Sequence, residues 1–220
     1  MGIKEKLFKT ILPTSVYEKY RINALQKIYD KSNNQFIALR KGNPSSVPVP
    51  HSAKQEVIRY YANLYNIQCF VESGTFLGIM VNSMKSQFKK LYSIELSEIL
   101  YKNAINKFKN DKHINIVFGD SGTMLPQVIK DINEPVLFWL DGHYSGDITA
   151  KGVLETPIIK ELKTVLEHPV KNHVILVDDA RLFNGTRDYP TVKEVQDFLA
   201  TYGNFTFEIK EDILVIYRTV

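Results

Sequence analysis

Acids recur at the ends of apolar runs in this 220-residue chain. Glu72 closes IQCFVE, Glu95 closes LYSIE, Asp120 closes INIVFGD, Asp141 closes VLFWLD, and Asp178 with Asp179 closes HVILVDD. The stretch FWLDGHYSGD adds His143 and Tyr144 just after Asp141. Carboxylates offer lone pairs to the hydroxyls of a ligand or to a hard divalent cation, and an imidazole takes protons near neutral pH. A single acid in such a place is an ordinary turn or helix cap. Five successive runs ending this way would gather like charges, which need a cation, hydroxyls or hydrogen-bond donors to hold them.

The elements that must position these groups follow from hydrophobic spacing. Short, nearly continuous apolar runs alternate with amphipathic helix-length segments such as SAKQEVIRYYANLYN, LSEILYKNAINKFK and TPIIKELKTVLEH, the pattern of a parallel sheet covered on both faces. The last two runs, FTFEIKE and ILVIYR, are almost adjacent and must form an antiparallel hairpin. The expected fold is α/β and Rossmann-like: a mostly parallel seven-stranded sheet, helices on both faces, a C-terminal antiparallel hairpin and an N-terminal helical extension. Residues 1–50 read as that extension and its linker, with Pro13 separating two helical segments and KGNPSSVPVP (41–50) extended; residues 51–220 read as the main domain. In such a sheet ligands bind beyond the carboxyl ends of the strands, near the reversal of strand order.

VESGTFLG (71–78) is a strand, a glycine turn and a helix start. It lacks the G-x-G-x-x-G of a dinucleotide site. E-x-G-x-x-x-G followed by an acid closing the second strand resembles the class I S-adenosylmethionine-dependent methyltransferases, over residues 67 to about 190. That resemblance implies S-adenosylmethionine as cofactor. Glu72 and Gly74, with Ser73, Thr75 and Gly78 of the same loop, would hold the methionine part, Glu95 the ribose hydroxyls, and Asp120 with Ser121 the adenine; Asp141 would close the cofactor site. Glu95 follows Gly74 by about 20 residues, the distance at which an open α/β sheet delivers a carboxylate to a ribose diol. Phe76 departs from the family, many of whose members have a second glycine there. Glu72 and Glu95 also read as solvated loop acids.

LDGHYSGD together with VILVDDARLF resembles the magnesium-dependent O-methyltransferases, most closely the macrocin or antibiotic-sugar type. The resemblance implies that Asp141, Asp178 and Asp179 coordinate Mg²⁺ or Mn²⁺, a hard oxygen site that would orient and acidify an acceptor hydroxyl. The family has an acid two residues after the strand-four carboxylate, where this chain has His143. That histidine reads as a general base, a metal ligand or a hydrogen-bonding loop residue. Consecutive strand residues face opposite ways, so Asp179 also reads as a turn cap. YSGDITAKG (144–152) has the make-up of a lid, and Tyr144, Lys151 and Arg181 are candidate contacts to a polar acceptor or plain surface groups.

A formal charge of +4, with lysines and arginines dispersed among acids, gives no reason to expect a nucleic-acid partner. Cys69, the single cysteine, excludes an intrachain disulfide framework and reads as a buried thiol. No run approaches the length of a transmembrane span, and the start lacks the apolar core of a signal peptide, so the expected location is cytoplasmic. MGIKEKLFKTIL points to homo-oligomer contacts or a wall of the acceptor pocket, with attachment to an anionic membrane as the alternative. Lys6 excludes a myristoylation signal. The expected function is a divalent-metal-dependent O-methyltransferase acting on a small polar acceptor, such as a sugar of a surface glycan or natural product. The alternatives are a metal-independent O- or N-methyltransferase using His143, and a cofactor-binding protein without turnover.

Overall fold

The computed structural model describes residues 13–142 and 156–219. Helix α1 (Thr14–Gly42) leads by a short turn to α2 (His51–Leu64). There follow β1 (Cys69–Ser73), α3 (Ile79–Met84), β2 (Lys90–Glu95), α4 (Glu98–Phe108), β3 (Ile114–Phe118) and α5 (Ser121–Ile129). The chain continues through β4 (Val136–Leu140), α6 (Ile158–Glu167), β5 (Val174–Val177), a 3₁₀ turn at Ala180–Leu182, α7 (Val192–Ala200), β6 (Phe205–Lys210) and β7 (Ile213–Arg218). The first of the two expected N-terminal helical segments lies outside the described residues.

The seven strands form one sheet in the order β3-β2-β1-β4-β5-β7-β6. β1 to β5 pair in parallel, and β7 runs antiparallel between β5 and β6. The order reverses at β1, which is flanked by β2 and β4, so the ligand crevice of such a sheet falls at the carboxyl ends of these three strands. The expected sheet and hairpin are both present. The hairpin turns on Glu211 and Asp212, each at positive φ, the handedness that two-residue hairpin loops require.

Alternation along the strands sorts side chains between two cores. Val71, Ile94, Phe138, Leu140, Ile175 and Val177 pack with α5, α6 and α7. Phe70, Leu91, Leu137, Trp139, Val174 and Leu176 pack on the other face, against Val57, Ile58 and Tyr61 of α2 and Met80, Val81 and Met84 of α3. Trp139 and Phe70 are fully buried, each burial worth roughly 1.5–3 kcal/mol or more. Helix α1 lays Ile22, Leu25 and Tyr29 on Leu77 and Leu100, beside the glycine loop after β1. Among the described residues, no helix is long and apolar enough to cross a membrane.

Candidate functional site

Register brings the acids to one rim. Ser73 pairs with Ile94 on one side and Leu140 on the other, and Leu140 pairs with Val177. The strands therefore end level, and Glu95, Asp141 and Asp178 stand at or just past those ends. Period-two alternation assigns Glu72 and Glu95 the parity of Phe70 and Leu91, on the α2 side of the sheet. Asp141 and Asp178 lie just past β4 and β5, where Asp178 meets Lys54 of α2 and both acids line a cleft with Glu161 of α6.

On the β1–β2 side the acids are held by neutral donors. Glu72 is 1% exposed and accepts from the Ser93 hydroxyl, which also lies 2.6 Å from Thr75 Oγ1. Burial, reinforced by Asp141 and Glu95, pushes the Glu72 carboxyl well above its ordinary pKa. Glu95 accepts the Phe76 N–H on one oxygen at 2.8 Å and the Ser97 N–H on the other at 2.7 Å. Each oxygen keeps a lone pair for a diol. Burial raises this carboxyl too, and the backbone donors oppose the rise.

The loop between them is fixed by backbone conformation. Gly74 has φ +84°, and a Cβ there would stand 2.5 Å from the Asp141 carbonyl oxygen. β1 and β4 approach closely only because that position is glycine. Phe76 adopts φ +50°, so this residue holds the left-handed conformation that glycine takes at no steric cost. Gly78, also left-handed, caps α3. Asp120 caps α5 and accepts from Thr123 Oγ1 at 3.1 Å, and Ser121, the first residue of α5, is buried.

On the β4–β5 side the acids are held by cations. Lys54 of α2 places Nζ 2.6 Å from Asp178 Oδ2 and 3.2 Å from Asp179 Oδ1. Burial alone would favour its neutral amine, but Asp178, Asp179 and Asp141 together raise its pKa and keep it charged. Asp178 Oδ1 accepts the Asp179 N–H at 2.7 Å. Asp179 is left-handed at φ +57°, which turns it back toward the same lysine despite its opposite strand parity. Arg181, a candidate acceptor contact or plain surface group, directs Nη1 to Asp179 Oδ1 at 2.7 Å and to Asp212 of the hairpin turn. Among the described residues, no three His, Cys, Asp or Glu side chains are grouped so as to hold a metal ion.

Four further residues at this rim were not singled out from the sequence. Lys54 shares the buried face of α2 with Val57, Ile58 and Tyr61. Glu161 shares that of α6 with Ile158, Leu162 and Val165, and is 1% exposed. Burial lifts the Glu161 carboxyl to about 7 against the pull of the Ser121 and Ser73 hydroxyls, and its Oε1 has no hydrogen-bond partner among the described residues. A charged residue on an otherwise apolar helical stripe is the signal that both carry. His51 accepts from Gln55 on Nδ1 at 2.8 Å, and burial, helped by Lys54, lowers it to about 4, so it stays neutral. Tyr189 buries a hydroxyl that has no partner among the described residues. Asp141, Asp178, Glu161, Thr156 and Tyr189 line a small cleft beyond β4 and β5. His143, Tyr144 and Lys151 lie outside the described residues.

No protein-family model and no curated protein matches the chain. Solved structures do match it over most of their length. The O-methyltransferase TomG from Streptomyces achromogenes, involved in tomaymycin synthesis and solved with S-adenosylmethionine, superposes with a TM-score of 0.58 at 14% identity, covering 85% of this chain and 89% of its own. The methyltransferase PaMTH1 from Podospora anserina gives 0.55 at 12% identity over 96% and 99% of the two chains. An O-methyltransferase from Bacillus cereus gives 0.53 at 11% identity over 97% and 96%. With strand order, glycine loop and carboxylate rim in place, the chain has the fold of the class I S-adenosylmethionine-dependent methyltransferases.

Proposed function

We propose that this protein is an S-adenosylmethionine-dependent O-methyltransferase that methylates a hydroxyl of a small polar acceptor, such as a sugar of a surface glycan or natural product. The observation that carries this reading is the juxtaposition of Glu72 and Glu95, beside the left-handed glycine loop, with Asp141, Asp178 and Asp179 at the level ends of adjacent strands. When bound, S-adenosylmethionine supplies a methyl group on a positively charged sulfur. Glu72, buried and short of a cation, suits the charged methionine end. Glu95 offers its remaining lone pairs to the ribose diol, and Asp120 with Ser121 borders the adenine. His143 would take the acceptor's proton as the new O–CH₃ bond forms and the S–CH₃ bond breaks.

Mg²⁺ or Mn²⁺ at Asp141, Asp178 and Asp179 is the expectation that the resemblance raised. The residues as arranged do not fit it: the Lys54 ammonium lies between Asp178 and Asp179, and no ligand trio is assembled among the described residues. No step is therefore routed through a metal, and the metal-independent form of the reaction is the one these contacts favour. Helix α1 carries outward-facing Val16, Ile28 and Leu39, which supports a homo-oligomer contact through the N-terminal helices.

Calorimetry tests the shared premise. Wild-type protein should bind S-adenosylmethionine and its demethylated product S-adenosylhomocysteine one to one. Absence of binding by both would end the methyltransferase reading.

A further inference from the structure

We infer that Lys54 is the resident cation of the acceptor rim, its ammonium taking the place between Asp178 and Asp179 that a divalent ion would otherwise fill. The lysine is not a surface group that has drifted inward. It sits in the first turn of α2, on the face whose other members, Val57, Ile58 and Tyr61, are buried in the core, and it is itself only 9% exposed. A desolvated ammonium persists only where carboxylates compensate it. Here Asp178 Oδ2 at 2.6 Å and Asp179 Oδ1 at 3.2 Å do so directly, and Asp141 contributes through its charge.

The second cation completes the substitution. Arg181 shares Asp179 Oδ1 with Lys54 and is anchored in turn by Asp212. Lys54 and Arg181 together bring the charge of one divalent ion to the strand-five acids. Among the described residues, the cluster is also faced by the neutral His51 imidazole, by Tyr29 packed on that ring, and by the Tyr189 hydroxyl, which has no partner among them.

The replacement changes what the rim can select. A divalent ion chelates two acceptor oxygens at once. An ammonium has three N–H groups, and Lys54 gives two of them to Asp178 and Asp179. One remains for a single oxygen. The preferred acceptor is thus a polar molecule presenting one hydroxyl, with no requirement for a vicinal pair. This last step rests on the methyltransferase reading; the exclusion of the metal does not.

The test is a Mn²⁺ titration, followed by the electron paramagnetic resonance of the free ion, on wild type, D178N, K54Q and K54Q/D178N, with S-adenosylhomocysteine binding measured on each by calorimetry. Wild type should show no stoichiometric Mn²⁺ site. K54Q should gain one, at least about tenfold tighter than any wild-type binding because the carboxylates lose their internal partner, and K54Q/D178N should lose it again. A stoichiometric Mn²⁺ site in wild type that disappears in D178N would overturn the inference. So would a folded K54Q that binds S-adenosylhomocysteine as wild type does yet takes up no Mn²⁺. Should K54Q fail to fold, the wild-type and D178N titrations still decide. Wild type that excludes Mn²⁺ but ignores S-adenosylhomocysteine would leave the resident cation standing and remove the methyltransferase reading alone.

Discussion

Glu72 and Glu95 lean on hydroxyls and backbone N–H groups, whereas Asp178 and Asp179, on the same rim, lean on Lys54 and Arg181. Burial raises the proton affinity of Glu72 and of Asp178 alike; the Ser93 hydroxyl opposes the rise at Glu72 and the Lys54 ammonium opposes it at Asp178. The half held by neutral donors is completed by a positively charged ligand. The cation-held half carries two internal cations, and a ligand there is recognised by shape and single hydrogen bonds. One sheet edge thus holds a region that waits for charge beside another that supplies its own.

The contrast is broken most severely at Lys54. K54M leaves Asp178 and Asp179 buried without their ammonium, so unfolding stability in urea should fall by about 3–5 kcal/mol. A loss under 1 kcal/mol would mean that the pair is not held as described. Glu161 sits at the seam, beside Ser73 and Ser121 on one side and in the Asp141 cleft on the other. Its folded pKa of about 7 lies above the ordinary 4.5, so the folded state binds the extra proton. Stability from this group is therefore full below pH 4.5 and falls by about 3 kcal/mol as pH rises to 7. Urea midpoints at pH 5 and pH 8 should differ in that sense for wild type, and E161Q should flatten the difference.

Smaller effects sharpen the neutral half. E95A removes the acceptor of two backbone N–H groups and the proposed ribose contact, and calorimetry should show S-adenosylhomocysteine binding weakened by about 1.5–3 kcal/mol. Unchanged affinity would detach Glu95 from the cofactor. F76G relieves a left-handed side chain worth about 1–2 kcal/mol but frees the unfolded chain by about 0.5–1 kcal/mol and gives up the ring's packing on Leu77 and Leu100, worth about 1.5–3 kcal/mol at full burial. Thermal melting should accordingly fall slightly, by about 1 kcal/mol in free energy.

The sheet and its loaded edge were legible because buried parallel strands write themselves as apolar runs, and the acids stood directly after them. Period two then explains why Glu72 and Glu95 share a face. Lys54 and Glu161 escaped notice because each lies in a helix segment remote from the strand ends, and spacing alone does not say which strands a helix covers. Their position was nonetheless marked: each interrupts an apolar stripe at the period of its helix. Nothing in the sequence links Arg181 to Asp212, a partner supplied by the turn of the returning hairpin. Asp179 shows the same limit, since its left-handed backbone, and not its place in the strand, directs it to Lys54.

Lys54 and Asp178 are 124 residues apart, and that separation orders the chain's own synthesis. The helix bearing the lysine leaves the ribosome long before the fifth strand exists, so early in synthesis the ammonium has to remain hydrated. Closing the last parallel strand against the fourth brings the two charges together, which makes the rim one of the final parts of the molecule to settle and leaves any product truncated before Asp178 with a lysine it cannot bury.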